Sequence, residues 1–388
     1  MDNFDAIIIG SGMTGASFAF ELAKHANVLL LERESDTGYH STGRSAAVYI
    51  PTYGFDQLPL RVLSVCSYDF FNKPPAGFCS EPLVRKRGLL WISDEANKNQ
   101  LEAKFSEMQH AEVPVQWVDR ISLNNLAPSL AKDYSGCAIY DPAVADIDVH
   151  ELHSSYLKGL IARKGRLEKN IQIRSIERSK DEWTVSSENA SFCAPILVNA
   201  AGAWVDEVAE LAGVEPIGIS PLRRTAVLVD APSQTNFDKY PVIADINYQF
   251  YFKPEGSLVL VSPSDESPSL PCDAQPEEID IAHAVEYAEK AFGIRVEKVH
   301  SSWAGLRNFV SDRLPVIGFD RAFPGFFWLA GQGGHGIQTA PAQSRLAASL
   351  LLNEDLPEDI KEMGLSKEMV SPDRIINRTK YVGEELQI

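Results

Sequence analysis

Two arginines in apolar surroundings are the side chains of this sequence best suited to bind a small anion. Arg224 and Arg307 each lie in an apolar segment with the character of a β-strand. A guanidinium group in such a setting needs an anionic partner, and its planar set of donors matches a carboxylate. Tyr53 and Tyr251 could donate hydrogen bonds in the same pocket. The two arginines predict a carboxylate site, with an internal ion pair as the alternative for each arginine and simple packing for each tyrosine.

No pattern for direct acid–base, nucleophilic or phosphate chemistry accompanies these side chains. The sequence contains no Ser/His/Asp motif, no pair of candidate catalytic carboxylates and no P-loop. His150 and His153 are three residues apart on a predicted helix, but no third metal ligand is evident. We therefore expect capping or solvated histidines and no metal site. The motifs that remain are rich in glycine and point to an organic cofactor.

The strongest glycine motif is near the N-terminus, where an apolar run leads into Gly10-Ser11-Gly12-Met13-Thr14-Gly15 and a helix follows. Gly10 allows the tight turn, Gly12 lets the backbone approach a pyrophosphate, and Gly15 lets helix and strand pack closely. The helix N-terminus offers free N–H groups and a positive dipole end to the phosphates. A second apolar strand ends at Glu32, which can accept hydrogen bonds from a ribose. This order of elements predicts a dinucleotide-binding fold.

Two further junctions rich in glycine follow a strand and lead into a helix. The small residues of Asn199-Ala200-Ala201-Gly202-Ala203-Trp204 allow a ligand to approach the backbone. Gly331-Gln332-Gly333-Gly334-His335-Gly336 has four glycines in six residues, which suits N–H groups pressed against a flat ring or a phosphate. Close packing or a tight turn is the alternative in each case. Three junctions spread along the whole chain favour FAD over NAD.

The bulk properties of the chain exclude several classes of protein. A length of 388 residues suggests about two or three domains, and the net charge of −17 argues against binding to nucleic acids or to an anionic membrane. No apolar run is long enough to span a membrane, and the first strand begins too early for a secretory signal. The five widely spaced cysteines form no zinc or redox motif, so we expect reduced, mostly buried thiols in a cytoplasmic protein.

The order of helices and strands predicts an α/β protein with two parts. Rossmann-type elements occur at the start, in the middle and at the end, with antiparallel strand signals between them. We expect one helix over residues 58–71 and a loop over residues 38–47 from which a helix can open at Ser45. The predicted fold is a Rossmann-type FAD-binding domain with an inserted α+β substrate domain built on an antiparallel sheet. The predicted FAD-binding domain comprises residues 1–80, 145–220 and 308–372, the substrate domain residues 81–144 and 221–307, and a C-terminal tail residues 373–388.

Five motifs in this order resemble the FAD-dependent D-amino-acid oxidase superfamily, and within it the bacterial D-arginine dehydrogenases. The likeness extends from the first strand to about Pro372. The motifs are Gly10-Ser11-Gly12-Met13-Thr14-Gly15, Ser41-Thr42-Gly43-Arg44-Ser45-Ala46, Asn199-Ala200-Ala201-Gly202-Ala203-Trp204, Trp303-Ala304-Gly305-Leu306-Arg307 and Gly331-Gln332-Gly333-Gly334-His335-Gly336.

The resemblance implies an FAD site formed by most of these motif residues. Cys66, Cys79 and Cys137 are not obviously placed to attach a flavin, so we expect FAD to bind non-covalently. The implied cofactor-binding residues are Gly10, Gly12, Met13, Thr14, Gly15, Glu32, Arg33, Ser41, Thr42, Arg44, Ser45, Ala46, Ile173, Ala201, Gly202, Trp204, Gly331, Gly333, Gly334, His335, Gly336, Ile337 and Gln338.

The reaction implied by the resemblance is oxidation of the Cα–N bond of a D-amino acid to an imino acid, which hydrolyses to a 2-oxo acid and ammonia. Arg224, Arg307 and Tyr251 match the residues that hold the substrate carboxylate. Tyr53 matches a tyrosine of a mobile loop near the substrate, and Gly334 matches a glycine whose backbone meets the amino group. The amine reacts in its neutral form and a hydride leaves Cα for the flavin, while the protein supplies orientation and complementary charge. The electron acceptor stays open.

The predicted substrate side-chain pocket departs from the D-arginine enzymes at two positions. Those enzymes have a glutamate where this chain has Leu89 and a histidine where it has Val48. A leucine cannot neutralise a guanidinium, and burying an unpaired charge is costly. Together with Ile50 and Trp91, these residues predict an apolar pocket for a neutral or hydrophobic D-amino acid. A sarcosine- or glycine-type amine oxidase and a non-enzymatic flavin-binding redox protein are the alternatives.

Overall fold

The computed structural model describes residues 4–134, 136–232 and 236–375. The strands of these residues are, in chain order, β1 (Ala6–Ile9), β2 (Val28–Leu31), β3 (Val48–Tyr49), β4 (Val84–Lys86), β5 (Leu89–Ile92), β6 (Gln116–Asp119), β7 (Cys137–Asp141), β8 (Ala145–Ile147), β9 (Arg166–Glu168), β10 (Ile173–Ser179), β11 (Glu182–Ser187), β12 (Ser191–Ala194), β13 (Ile196–Asn199), β14 (Ser220–Asp230), β15 (Val242–Asp245), β16 (Tyr251–Glu255), β17 (Leu258–Ser262), β18 (Ser267–Pro268), β19 (Val299–Phe309), β20 (Val316–Phe319) and β21 (Phe326–Ala330).

The α-helices of the same residues pack on these sheets. They are α1 (Met13–Leu22), α2 (Leu58–Val65), α3 (Tyr68–Asn72), α4 (Lys98–His110), α5 (Arg120–Leu126), α6 (Val149–Ala162), α7 (Val205–Leu211), α8 (Glu278–Phe292), α9 (Gly336–Leu351) and α10 (Glu358–Glu362).

A six-stranded sheet in the order β20-β21-β13-β1-β2-β9 carries the N-terminal glycine motif. All of its pairs are parallel except the antiparallel pair of β20 and β21. Every residue of β1 is buried: Ala6 and Ile8 contact the layer of α1 and α9, and Ile7 and Ile9 contact the opposite layer, formed by α7 and the small sheet β10-β11-β12. A strand covered on both faces has to be apolar throughout, which explains the run of alanine and isoleucine.

A nine-stranded sheet forms the second part of the molecule. Its path is β18-β14-β17-β16-β15-β5-β7-β6, and β19 also pairs with β14; every pair is antiparallel except the parallel pair of β15 and β5. Helix α8 covers one face of β14 and β17. In the long β14–β19 ladder, Arg224 lies opposite Gly305 and Leu222 opposite Arg307. This ladder therefore brings the two predicted carboxylate-binding arginines together.

The two sheets confirm the predicted α/β fold class with a Rossmann-type sheet and an antiparallel one. The exact division of the chain into the two domains stays a prediction, and residues 376–388 of the predicted tail lie outside the described residues. Among those that the structure describes, no helix combines the length and apolar character needed to cross a membrane.

Three local expectations were wrong. The helix expected over residues 58–71 is two helices, α2 and α3, separated at Cys66 and Ser67. No helix opens at Ser45; residues 38–44 form turns, and the short strand β3 follows at Val48. The thiols are not mostly buried, because four cysteines are half-buried and Cys272 is exposed; all five are free.

Candidate active site

A cavity of about 840 Å³ is lined by residues of both sheets and of the loops between them. The carboxyl ends of β1 and β2 open into it at Ile9 and Leu31, which is where parallel sheets of this type bind ligands. All the predicted cofactor, carboxylate-binding and side-chain pocket residues line this cavity except Gly15 and Gly331. The tertiary structure therefore brings together residues that are more than three hundred positions apart in the sequence.

The N-terminal turn requires glycine at two positions for steric reasons. Gly10 has a φ of +100°, and a Cβ there would lie 2.6 Å from the Ala200 carbonyl oxygen. A Cβ at Gly15 would lie 1.9 Å from the Gly10 carbonyl oxygen, although Gly15 does not reach the cavity. Gly15 thus allows α1 to pack closely on the turn, while Gly10 and Gly12 remain at the cavity wall.

Glu32 holds the glycine turn from the end of β2. Its Oε2 accepts hydrogen bonds from the Ser11 N–H at 3.0 Å and the Ser11 hydroxyl at 2.6 Å, and its Oε1 accepts from the Glu34 N–H at 3.0 Å. The carboxylate lines the cavity, so further hydrogen bonds to a ribose are sterically accessible from that side.

His153 supports the same turn from α6. Its Nε2 lies 2.8 Å from the Ser11 carbonyl oxygen, and burial lowers the pKa of its imidazole. The expectation of a solvated or capping histidine is therefore wrong for His153, which is buried. The cap of α6 is Asp148, as its position at the start of the helix indicates, and its Oδ1 accepts the Glu151 N–H at 2.8 Å. The described residues include no cluster of histidine, cysteine and carboxylate side chains suited to a metal.

The loop over residues 38–47 joins α1 to β19. The Thr42 hydroxyl accepts the Met13 N–H at 2.9 Å, and the Ser41 hydroxyl donates to the Leu306 carbonyl at 2.7 Å. The Arg44 guanidinium donates to two carbonyl oxygens, those of Ala274 at 2.8 Å and Ala304 at 3.1 Å. Arg44 therefore fixes the loop to the second sheet as well as lining the cavity.

The glycines of the third motif make room for side chains of β19. A Cβ at Gly333 would lie 2.3 Å from the Phe309 ring, and one at Gly334 would lie 2.4 Å from Nη2 of Arg307. Gly333 also forms an isolated bridge with Asn308, whose carbonyl accepts the Gly333 N–H at 2.9 Å. These two glycines thus allow the side chains of Arg307 and Phe309, as well as any ligand in the cavity, to approach the backbone closely.

Three arginines share one carboxylate at this end of the cavity. Glu266 lies 3.3 Å from Nη2 of Arg224, 3.5 Å from Nη1 of Arg307 and 2.9 Å from Nη2 of Arg313. Nε of Arg224 donates to the Asp265 carbonyl at 2.7 Å. Burial, followed by the charge of Arg307, lowers the pKa of Arg224. The internal ion pair that was the alternative for these arginines exists, and Asp265 adds a second negative charge near Arg224, but three guanidinium groups still exceed the two carboxylates, which favours a further anion.

An apolar part of the cavity wall holds the predicted side-chain pocket. Val48, Ile50, Leu89 and Trp91 all line the cavity there, together with Asp245. The Asp245 carboxylate accepts the N–H groups of Asn247 at 2.9 Å and Gln249 at 3.3 Å, and burial raises its pKa. The wall is therefore mainly apolar, and the acid that reaches it is engaged by its own turn.

Several buried polar atoms at the cavity have no partner within the described part of the chain. They include both ring nitrogens of His335, Oδ1 of Asn308 and Nε2 of Gln332. Burial, and then the charges of nearby arginines, lower the pKa of His335 to about 3, so the imidazole is neutral. The Tyr53 ring lies 4.4 Å from the His335 ring. Unpaired buried donors and acceptors are costly, so these atoms fit a polar ring such as that of a flavin.

FAD fits this set of residues along the whole cavity. The turn at Gly10 and Gly12 with the N-terminus of α1 suits the pyrophosphate, Glu32 suits the ribose, and the unpaired atoms around His335 suit the edge of the isoalloxazine.

Some cavity residues were missed from the sequence. Asn308 and Gln332 are adjacent to predicted residues and could have been found as polar neighbours of the motifs. Glu266, Asp245 and Tyr248 carried no comparable signal, because nothing in their local sequence indicates which arginines or rings they contact.

Several known proteins are similar to this chain in sequence or structure over most of its length. The chain is 21% identical over 379 aligned positions to glycine oxidase from Geobacillus kaustophilus, which covers 94% of this chain and 97% of that protein. It is 29% identical over 407 aligned positions to FAD-dependent oxidoreductase domain-containing protein 1 from Xenopus laevis, which covers 90% of this chain and 79% of that protein. The crystal structure of the Geobacillus enzyme superposes with a TM-score of 0.81 at 20% identity, covering 95% of this chain and 99% of that one.

These matches do not favour D-arginine dehydrogenases as the nearest subgroup, contrary to the expectation from the motifs. The family described as FAD dependent oxidoreductase matches residues 5–350. The chain belongs to this FAD dependent oxidoreductase family, and its cofactor is FAD.

Proposed function

We propose that this protein oxidises the Cα–N bond of D-amino acids with neutral or apolar side chains. The observation that carries the proposal is the contrast within one cavity between the excess of guanidinium groups around Glu266 and the mainly apolar wall at Leu89 and Trp91. A zwitterionic amino acid with an apolar side chain matches both ends.

Arg224 and Arg307 would bind the substrate carboxylate, with Tyr251 as a further donor. Charge-assisted hydrogen bonds of this kind contribute about 1.5–3 kcal/mol each. Because both arginines lie on one antiparallel ladder, β14–β19, their guanidinium groups are held relative to each other by the sheet. The carboxylate would therefore fix the direction in which Cα and the side chain point.

The amino group would lie near Gly334 and His335. Gly334 lies directly against the Arg307 guanidinium, so a carboxylate on that arginine places the neighbouring Cα near the Gly334 backbone. His335 is neutral at physiological pH and has no partner among the described residues, so one ring nitrogen can accept a hydrogen bond and the other can donate one. When bound, FAD supplies the redox chemistry by accepting the two electrons that leave the Cα–N bond.

A glycine- or sarcosine-type amine oxidase is the second candidate, supported by the similarity to glycine oxidases from Geobacillus kaustophilus and Pseudomonas putida. Such an enzyme would use the same arginines. A substrate without a side chain would leave the wall formed by Val48, Ile50 and Leu89 without a function, and this favours the first candidate.

Anaerobic reduction of the bound flavin distinguishes the two candidates. We expect D-leucine, D-methionine or D-phenylalanine to give kcat/KM values about ten to a few hundred times those of D-arginine, D-lysine, glycine and sarcosine, because pocket contacts of this size usually discriminate to that extent. Leu89→Glu should shift the ratio toward D-arginine. Faster reduction by glycine or sarcosine would establish the second candidate, and no reduction by any amine would refute both.

A further inference from the structure

The ammonium group of Lys104 lies among three aromatic rings at the side-chain end of the cavity. Its Nζ is 4.9 Å from the centre of the Trp91 ring, 5.0 Å from that of Tyr248 and 5.8 Å from that of Phe55. Trp91 and Tyr248 also line the cavity, and their rings meet edge to face at 5.2 Å. The charge of Lys104 is therefore directly behind residues that a substrate side chain would contact.

Lys104 is held in this place by groups from three separate segments. Trp91 belongs to β5, Tyr248 to the turn between β15 and β16, and Phe55 to the loop before α2. The Lys104 ammonium donates a hydrogen bond to the Tyr248 hydroxyl at 2.7 Å. Cation–π contacts with these rings favour this geometry over a freely solvated side chain.

No carboxylate of the described residues forms an ion pair with Lys104. By contrast, Lys98 on the same helix forms an ion pair with Glu102, in which Nζ and Oε1 are 3.9 Å apart. Asp245, the acid at the cavity wall, accepts two N–H groups of its own turn through Oδ2, and burial raises its pKa. Lys104 therefore places a positive charge, with no ion-pair partner among the described residues, beside a mainly apolar wall.

The polar atoms beside Lys104 are hydrogen-bond donors. Trp91 Nε1 is buried and has no partner within the described chain, and the Tyr248 hydroxyl accepts from Lys104 and so has its own proton free to donate. Apart from the Asp245 carboxylate, the polar groups at this end of the pocket thus suit a hydrogen-bond acceptor better than a cation.

We propose that Lys104 determines specificity by rejecting substrates whose side chain ends in a cation and by favouring side chains that end in a neutral group or a hydrogen-bond acceptor. The proposal rests on the proposed function in one respect, the placement of the substrate carboxylate at Arg224 and Arg307. The apolar wall only fails to bind a cationic side chain, whereas Lys104 would repel one.

The test compares two carboxylates that differ only in a terminal ammonium, hexanoate and 6-aminohexanoate. Their dissociation constants are measured from the change they cause in the visible spectrum of the FAD-loaded protein, so no turnover is needed. We expect Lys104→Met to lower the ratio of the 6-aminohexanoate constant to the hexanoate constant by about three- to tenfold, and Lys104→Glu to lower it further. Lys98→Met, a matched change on the same helix, should leave the ratio unchanged.

A ratio within twofold of wild type in both Lys104 variants would overturn the proposal. An equal shift in Lys98→Met would also overturn it, because it would show an effect of overall charge. The catalytic arm repeats the comparison with D-norleucine and D-lysine. If neither amino acid reduces the flavin while the binding ratio shifts as expected, the proposed function fails and the role of Lys104 stands. If D-norleucine is oxidised and the binding ratio does not change, the proposed function stands and the role of Lys104 fails.

Discussion

The proposed nucleotide end and the proposed substrate end of the cavity are built in different ways. At the nucleotide end, Gly10, Ser11 and Glu32 shape the backbone of one strand–helix–strand unit, and the partners Ser11 and Glu32 are 21 residues apart. At the substrate end, Arg224 and Arg307 meet Glu266, a residue 42 and 41 positions away, and Arg313 joins from beyond β19. Recognition by backbone shape is thus local in the sequence, whereas recognition by charge depends on which distant segments the fold brings together.

This difference has an energetic consequence. Backbone N–H groups and a helix terminus tolerate change in surrounding side chains, because their position follows from the main chain. The charge excess at the substrate end depends on three arginines against the carboxylates of Glu266 and Asp265, so that one substitution changes it substantially. Substitutions at the substrate end should therefore alter catalysis with FAD still bound, and substitutions at the nucleotide end should alter FAD affinity.

The largest expected effect follows from Arg307→Met. Loss of one charged partner of the substrate carboxylate should cost about 2–4 kcal/mol of transition-state binding, or roughly 30- to 1000-fold in kcat/KM, with FAD content unchanged. Steady-state kinetics and the flavin-to-protein ratio measure the two quantities. Arg295→Met, an exposed arginine away from the cavity, is the matched control. Wild-type kinetics in Arg307→Met would contradict the carboxylate assignment, and loss of FAD would break the distinction between the two ends.

A smaller effect is expected from Glu32→Ala at the nucleotide end. Removal of a carboxylate that binds a ribose should weaken FAD binding by about 1.5–3 kcal/mol, roughly 10- to 150-fold, and leave kcat unchanged when FAD is in excess. FAD is released by acid precipitation and titrated back into the apoprotein, which also tests the expectation of non-covalent binding. Glu188→Ala, an exposed acid, serves as control. An unchanged FAD affinity would limit Glu32 to its contacts with Ser11 and Glu34.

The smallest expected effect, and the one whose sign is most informative, is that of Glu266→Gln. If the Glu266 carboxylate occupies arginines that the substrate needs, neutralising it should lower KM about three- to tenfold and leave kcat near wild type, since substrate binding would no longer compete with an internal anion. The mutual repulsion of Arg224, Arg307 and Arg313 should lower Tm slightly. An increase in KM would show instead that Glu266 positions the arginines for the substrate.

Much of the fold could be predicted from the sequence because its signals are local. The apolar run at β1, the glycine turn and the acid at the end of β2 specify a Rossmann-type unit within about thirty residues. Local periodicity did not predict the break between α2 and α3 or the turns before β3, because both segments are shaped by contacts with distant elements. Tyr49 donates to the Ser64 carbonyl at 3.1 Å, and the Ser67 hydroxyl accepts the Ala342 N–H at 3.1 Å.

The candidate site divides in the same way. By itself the sequence indicated an FAD cofactor, and it predicted that three glycine-rich junctions hold it and that Arg224 and Arg307 bind an anion, since residue type and local spacing carry that information. Only the tertiary structure decided that the two arginines share Glu266, that His153 is buried behind Ser11, and that Lys104 lies among aromatic rings. Electrostatic interactions depend on distance in space and on burial, and neither is fixed until the two sheets have packed together.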